Sequence, residues 1–186
     1  LTMDTPITSD AELARFINSL NATGVGYSAR LSGRLITHLL EVAGSWTAQV
    51  IEALDPHAPA RWAVSWAGET ESHNWMDTGR DYTEWWHHQA QIRDAVGVRR
   101  LLEPKWFMPL MDFSVRTLPR TYGPIEAPSS TVVTLAVEKE TMAAWSIVKG
   151  DAGWQIFSGA PAAPQAMVRI SADDAWRLFY NALPAE

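Results

Sequence analysis

The chain has no cysteine among its 186 residues, which excludes a disulfide framework, a thiolate metal site and a cysteine nucleophile. Any thiol chemistry would have to use a thiol brought from outside. It also lacks an apolar run of the roughly 18 or more residues that a membrane helix needs, and its N-terminus lacks the basic-then-apolar layout of a signal peptide. No membrane partner and a cytoplasmic location are therefore expected. Basic residues are in deficit, with 15 Lys and Arg against 21 Asp and Glu and a formal charge of −6. They are scattered rather than clustered, which argues against nucleic acid as a main partner. Low-complexity tracts and internal repeats are absent too, so neither a disordered chain nor a solenoid is indicated.

What remains is a globular composition, 47% hydrophobic and 19% charged, in a length that suits one ordinary domain or two small ones. Tryptophan is abundant: of ten in the chain, Trp46, Trp62, Trp66, Trp75, Trp85 and Trp86 fall close together. Such clustered rings fill a core or line a pocket.

Ser9 with Glu12 has the spacing of a capping box, and Leu13, Phe16, Ile17 and Leu20 recur at helical spacing, predicting a short first helix that ends over 21–26. Ser32 caps a second helix whose stripe is Leu35, Leu39, Val42, Trp46, Val50 and Leu54, closed by Asp55-Pro56. A loop rich in Pro, Gly and Trp follows, in which Trp62 to Trp66 is a short strand or buried extended chain. Asp77 or Thr78 opens a third helix that runs to Gly97, placed as a left-handed cap. Pro104 starts a fourth, with Phe107, Met111, Ser114, Val115 and Leu118 on one face and a bend at Pro109. Residues 119–130 hold three prolines and a glycine without a periodic pattern and read as a linker.

Beyond residue 130 the period switches to two. Val133, Leu135 and Val137, then Trp145 and Ile147, then Trp154 and Ile156, then Met167 to Ile170 predict three or four strands joined by turns at Lys139-Glu140, Gly150-Asp151 and Gly159 to Pro164. Ser171, with Asp173 and Asp174 in the first turn, caps a last helix carrying Trp176, Phe179 and Leu183. The expected class is α+β: a helical bundle over 1–118, a linker over 119–130 and a small domain over 131–186 built on an antiparallel sheet.

The chemistry is concentrated on the third helix. Glu84 and His88 stand four residues apart, so on a helix both leave the same face and can reach one cation. A carboxylate oxygen with an imidazole nitrogen suits zinc, nickel or iron. Gln91 continues that polar line and Asp81 precedes it. His87 points about 100° away and is expected as a supporting or surface group rather than a ligand. The bland alternative is a structural helix in which Glu84 bonds Arg80 or Arg93 and His88 donates to a carbonyl.

The run from Thr83 to Gly97, with Glu84-Trp85-Trp86-His87-His88 followed by Gln91-Ile92-Arg93-Asp94-Ala95-Val96-Gly97, resembles the metal helix of the mycothiol-dependent maleylpyruvate isomerase family. The order of elements is similar to that family as well: a DinB-like metal-binding bundle, a proline-bearing linker and a small sterol-carrier-like C-terminal domain ending in Trp-Arg-Leu-Phe. The resemblance implies an isomerase or transferase acting on a small electrophilic molecule. It further implies a divalent metal such as zinc on Glu84 and His88, with mycothiol or a similar low-molecular-weight thiol as cofactor. It implies a third ligand, a histidine from an early helix. His38 is the upstream histidine at hand, and the alternative is a histidine upstream of residue 1, in keeping with a chain that opens Leu1-Thr2-Met3 rather than at an initiator. An arginine of the C-terminal part is implied near the substrate, with Arg169 and Arg177 as candidates. The rival reading is a non-catalytic relative that uses the same scaffold to bind a metal or ligand.

Overall fold

The computed structural model describes residue 7 and residues 9–138 and 143–183. The expected turn at Lys139-Glu140 lies outside the described residues. The chain forms two compact units, Leu1–Asp55 and Pro56–Glu186.

In the first unit the two Ser caps act as their sequence spacing requires. Ser9 accepts from the Glu12 amide and starts α1, Asp10–Ser28; Ser32 accepts from the Leu35 amide and starts α2, Gly33–Ala53. Each satisfies one of the amides that a helix start leaves without a partner. α1 runs through 21–26, where an end was expected, because its glycines lower helix propensity without breaking the hydrogen-bond ladder. Among the described residues α1 does not pack along α2, so the α2 stripe of Leu35, Leu39, Trp46 and Val50 is not covered within its own unit.

The second unit begins with loop 56–73; of the two expectations for 62–66, no strand forms, and irregular chain with Val64 buried leads into a single 3-10 turn at Ser65–Ala67. The loop is tied down by the Ser72 hydroxyl, which accepts from the Val64 amide at 2.9 Å and donates to Glu69 Oε2 at 2.6 Å. Buried Val64 then packs with Met76 and Phe113, flanked by Trp66. α3 spans Asn74–Ala95, starting about a turn earlier than expected; no side chain caps it. Its end is as expected: Gly97 has φ +67°, its amide bonds Asp94 O and the Val98 amide bonds Arg93 O. That pair of bonds satisfies the last carbonyls and needs the left-handed residue that glycine supplies without strain.

α4, Pro104–Ser114, starts on its proline and continues through Pro109. It lies against α3 at Gly79, where an added Cβ would fall inside contact distance of the Phe113 ring, itself edge-on to Trp66 at 5.4 Å. Gly79→Ala is therefore expected to cost about 1–3 kcal/mol by overpacking, offset by about 1 kcal/mol of helix propensity. The net loss is then up to about 2 kcal/mol, and urea unfolding checks it: a midpoint above the parent's would refute the close approach.

The segment expected as a linker contains a short helix, α5 (Leu118–Tyr122), and Tyr122 packs edge-on to Trp154 at 5.4 Å. The strands follow as β1 (Val132–Glu138), β2 (Ala143–Gly150), β3 (Gly153–Ser158) and β4 (Ala166–Ser171), in the sheet order β3-β2-β1-β4. The expected antiparallel sheet is corrected here: β4 pairs parallel to β1, so the sheet is mixed. Parallel neighbours usually need a dozen or more connecting residues to return along the strand. Here no return is needed. β3 leaves at Ser158, level with Leu135, and β4 enters at Ala166, level with Val133. Residues 159–165 thus cross about 14 Å sideways and only about 7 Å back, within their reach at up to about 3.4 Å each. Ser146 Oγ donates to Gly159 O and accepts from buried Thr134, anchoring the start of this crossing on the far face of the sheet.

On the near face, Leu135 pairs with Trp145 and Val137 with Ala143. These join Trp86, Ala90, Phe107, Leu110, Met111 and Val115 of the helical segment and Trp176 of α6, Ala172–Phe179, in one core. α6 is capped by Ser171 as expected. An ion network fastens it to α3: Asp94 forms an ion pair with Arg100 Nε at 2.5 Å and accepts from Arg177 Nη2 at 2.6 Å, and Asp173 takes the same two arginines at 3.1 and 3.2 Å. No helix of the described residues is long and apolar enough to cross a membrane.

Candidate functional site

α3 buries Met76, Thr83, Trp86 and Ala90, and that face sets the rotation of the helix. Glu84 and His88 then emerge together at its border, 57% and 63% exposed, with Glu84 Oε2 at 3.5 Å from His88 Nε2. The orientation of His88 is fixed from its other side. Its Nδ1 lies 2.9 Å from Gln91 Oε1, an amide oxygen that can only accept, so Nδ1 is the donor there and Nε2 is the nitrogen turned toward Glu84. Such outer support of a histidine is what ordered metal sites use.

His87 is closer to this pair than its position on the helical wheel implied. Its ring stacks on His88 at 5.1 Å and 24°, and on Tyr180 at 4.9 Å and 29°. Side-chain torsions take the two neighbouring imidazoles out of the 100° splay of their Cα–Cβ bonds. Ligand atoms of Glu84, His87 and His88 all lie within 4.8 Å of one another. His87 Nε2 is buried without a hydrogen-bond partner, and burial, reinforced by His88, holds the pKa of the ring below its ordinary value. The imidazole is therefore neutral at pH 7, the form that can ligate. One carboxylate and two imidazoles, one with an unsatisfied nitrogen, fit a divalent ion of the zinc type.

Of the bland alternative, His88 does meet a carbonyl oxygen, that of the Gln91 side chain, but neither arginine pairs with Glu84. Arg80 is held by Asp77 at 2.6 Å and Asp81 at 3.6 Å, and Arg93 donates to Arg99 O. Asp81, whose pKa is raised chiefly by burial, belongs to that arginine pair.

Beside Glu84 opens a cavity of about 270 Å³ lined by Trp66, Thr83, Glu84, Ser114, Thr117, Phe179 and Tyr180. It is built from the Trp-rich loop, α3, the end of α4 and the end of α6. Tyr180 is the residue sequence reading missed. It meets Ser114, 66 positions away, at 3.0 Å, and no local periodicity carries that meeting. Burial raises its pKa, so the phenol stays protonated.

His38 is on α2 in the first unit, 3.7 Å from Glu41. Arg177 is spent on Asp94 and Asp173, and its guanidinium lies over Trp176 at 4.5 Å. Arg169 of β4 pairs with Glu138 of β1 at 2.7 Å, diagonally across the two strands, since Arg169 is level with Ala136 and Glu138 with Ser171. Neither arginine lines the cavity. His57 and His73 are exposed in the loop. No protein-family model, curated protein or solved structure matches the chain.

Proposed function

We propose that the chain is a metal-dependent enzyme, with zinc the expected ion, that uses mycothiol or a similar small thiol to isomerise or transfer a group on a small electrophilic molecule. This is the activity of the maleylpyruvate isomerase family whose metal helix it resembles, on a DinB-like bundle followed by a small α+β domain. The observation that carries the reading is the pairing of Glu84 Oε2 with the oriented Nε2 of His88 at 3.5 Å, at the edge of a cavity of small-molecule size. When bound, a divalent ion supplies Lewis acidity and lowers the pKa of a bound thiol or water. Glu84 offsets part of the ion's charge and belongs also to the cavity wall, which puts the cavity beside the ion. The hydroxyls of Thr83, Ser114 and Tyr180 give the cavity polar contacts, and Trp66 and Phe179 give it apolar walls. With no cysteine in the chain, the thiol comes from the cofactor.

A second reading, a metal- or ligand-binding relative without turnover, is favoured by the exposure of both ligand candidates, because water-filled sites forgo the electrostatic gain of a closed one.

Elemental analysis of the purified chain tests both. About one zinc per chain is expected, reduced by at least about tenfold in Glu84→Ala and in His88→Ala, since even supporting residues of metal sites cost 10–100-fold in affinity. Mycothiol-dependent turnover of maleylpyruvate by the loaded chain separates enzyme from binding module. A chain that takes up no metal after reconstitution would end both metal readings.

A further inference from the structure

A second cavity lies on the near face of the sheet. α5 packs on β3 at one side, and α6 packs on β4 and β1 at the other. In the sheet order β3-β2-β1-β4 this leaves a gap between the two helices above the middle strands. Its floor is Val133 and Leu135 of β1 beside their partners Ile147 and Trp145 of β2, four residues that strand alternation places on this face. The gap holds a cavity of about 110 Å³.

The two helices are anchored on either side of it. On the α5 side, Tyr122 lies edge-on to Trp154 at 5.4 Å, and Trp154 Nε1 donates to Ile125 O at 3.2 Å. On the α6 side, the Ser171 cap and the pairing of Arg177 with Asp94 and Asp173 hold the helix toward α3. Val168 and Leu178 at the rim are 46% and 50% exposed, which leaves an entrance.

Among the described residues no charged side chain lines this cavity. Trp145 Nε1 is spent on Asp112 Oδ1 at 2.8 Å, and the Thr134 hydroxyl is paired with Ser146 at 2.8 Å on the far face. Tyr122 brings the remaining side-chain hydroxyl of the lining. Ordered water in a cavity needs two to four polar partners, and apolar cavities without them stay dry. Filling this one with hydrocarbon therefore displaces no well-held water and removes apolar surface from solvent.

We propose that this cavity is a binding site for a small uncharged apolar molecule the size of a single aromatic ring. An enclosed apolar cavity of about 150 Å³ accepts benzene; the present one is smaller but open at its rim. Phe179 lines both this cavity and the one beside Glu84, so its occupant meets a side chain that also walls the candidate metal site. The binding itself does not depend on a metal.

Benzene titrated into the chain as purified tests the site, with the methyl NMR signals of Val133, Leu135 and Ile147 as reporters and those of Val64 and Met76, in the separate cluster with Phe113, as controls. Saturable shifts are expected at the three reporters and none at the controls, with a dissociation constant on the order of 1 mM or tighter. Pyrazine, a ring of the same size whose two nitrogens must give up water, is expected to bind at least about tenfold more weakly. Val168→Trp puts a large ring, well suited to a strand, at the exposed rim. It is expected to fold and to weaken benzene binding at least about tenfold by filling the cavity from its entrance. If it fails to fold, Leu178→Trp blocks the entrance from the helical side with the same expected loss. Absence of saturable shifts at the reporters overturns the proposal, as do equal affinities for pyrazine and benzene or an unchanged benzene affinity in the folded rim variant.

Discussion

Replacing Trp176 by alanine is expected to lower the free energy of unfolding by about 3–5 kcal/mol, the range for deleting a large aromatic side chain from a filled core. The ring is 1% exposed, edge-on to Trp86 at 5.7 Å, and its Nε1 donates to Asp173 Oδ1 at 3.0 Å. It stands where α6, α3 and the sheet share one core, so a cavity there cannot close by moving a single element. The loss is a large fraction of the roughly 5–15 kcal/mol by which domains are stable. Trp176→Phe keeps much of the packing and should fall between parent and alanine variant. Because the ring also lies 6.1 Å from that of His87, the alanine variant should lose zinc affinity as well. Urea unfolding of the three chains measures the series. An alanine variant within about 1 kcal/mol of the parent would mean that α6 does not belong to the core.

Removing Asp94 is expected to cost about 2–3 kcal/mol. Its two oxygens each hold a different guanidinium, those of Arg100 and Arg177, and without it two cations share the single carboxylate of Asp173. Breaking a buried pair costs about 3–5 kcal/mol and an exposed one under about 1; these groups are intermediate. The same contacts set a pH dependence. The hydrogen bond from Arg100 holds the Asp94 carboxyl below its ordinary pKa, Arg177 adding to it against the opposing effect of burial. A carboxyl depressed by folding contributes its full stabilisation above its unfolded pKa of about 3.9 and loses it as pH falls through the lower folded value. Asp94→Asn should therefore be less stable than the parent at pH 7, and the gap should shrink below about pH 4. Urea midpoints at pH 7, 4.5 and 3 decide it; parallel curves for the two chains would remove Asp94 as the cause.

The local signals in the chain carry through to the structure where one segment decides the outcome. Ser9, Ser32 and Ser171 cap helices because a side-chain oxygen three residues before a free amide needs nothing from the rest of the chain. Gly97 ends α3 for the same kind of reason. The start of α3 is not written locally because no side chain caps it, and over 119–122 proline and glycine hide the continuation of a one-turn helix. The parallel pairing of β4 was hidden because a turn-rich sequence of that length fits a hairpin as well as a sideways crossing. Only the register distinguishes them, and register is a relation between strands.

The candidate site divides in the same way. That Glu84 and His88 share a face follows from helical spacing alone, and the absence of cysteine by itself puts any thiol outside the chain. Tertiary structure decided the rest. It set the rotation of α3 through the burial of Trp86 and Ala90, brought His87 into register with Tyr180, and withdrew Arg177 into the pairing with Asp94 and Asp173. Spacing along one helix determines what neighbouring turns present. Which residues from α4 and α6 face them depends on a core that forms only when all of these elements bury their apolar sides at once.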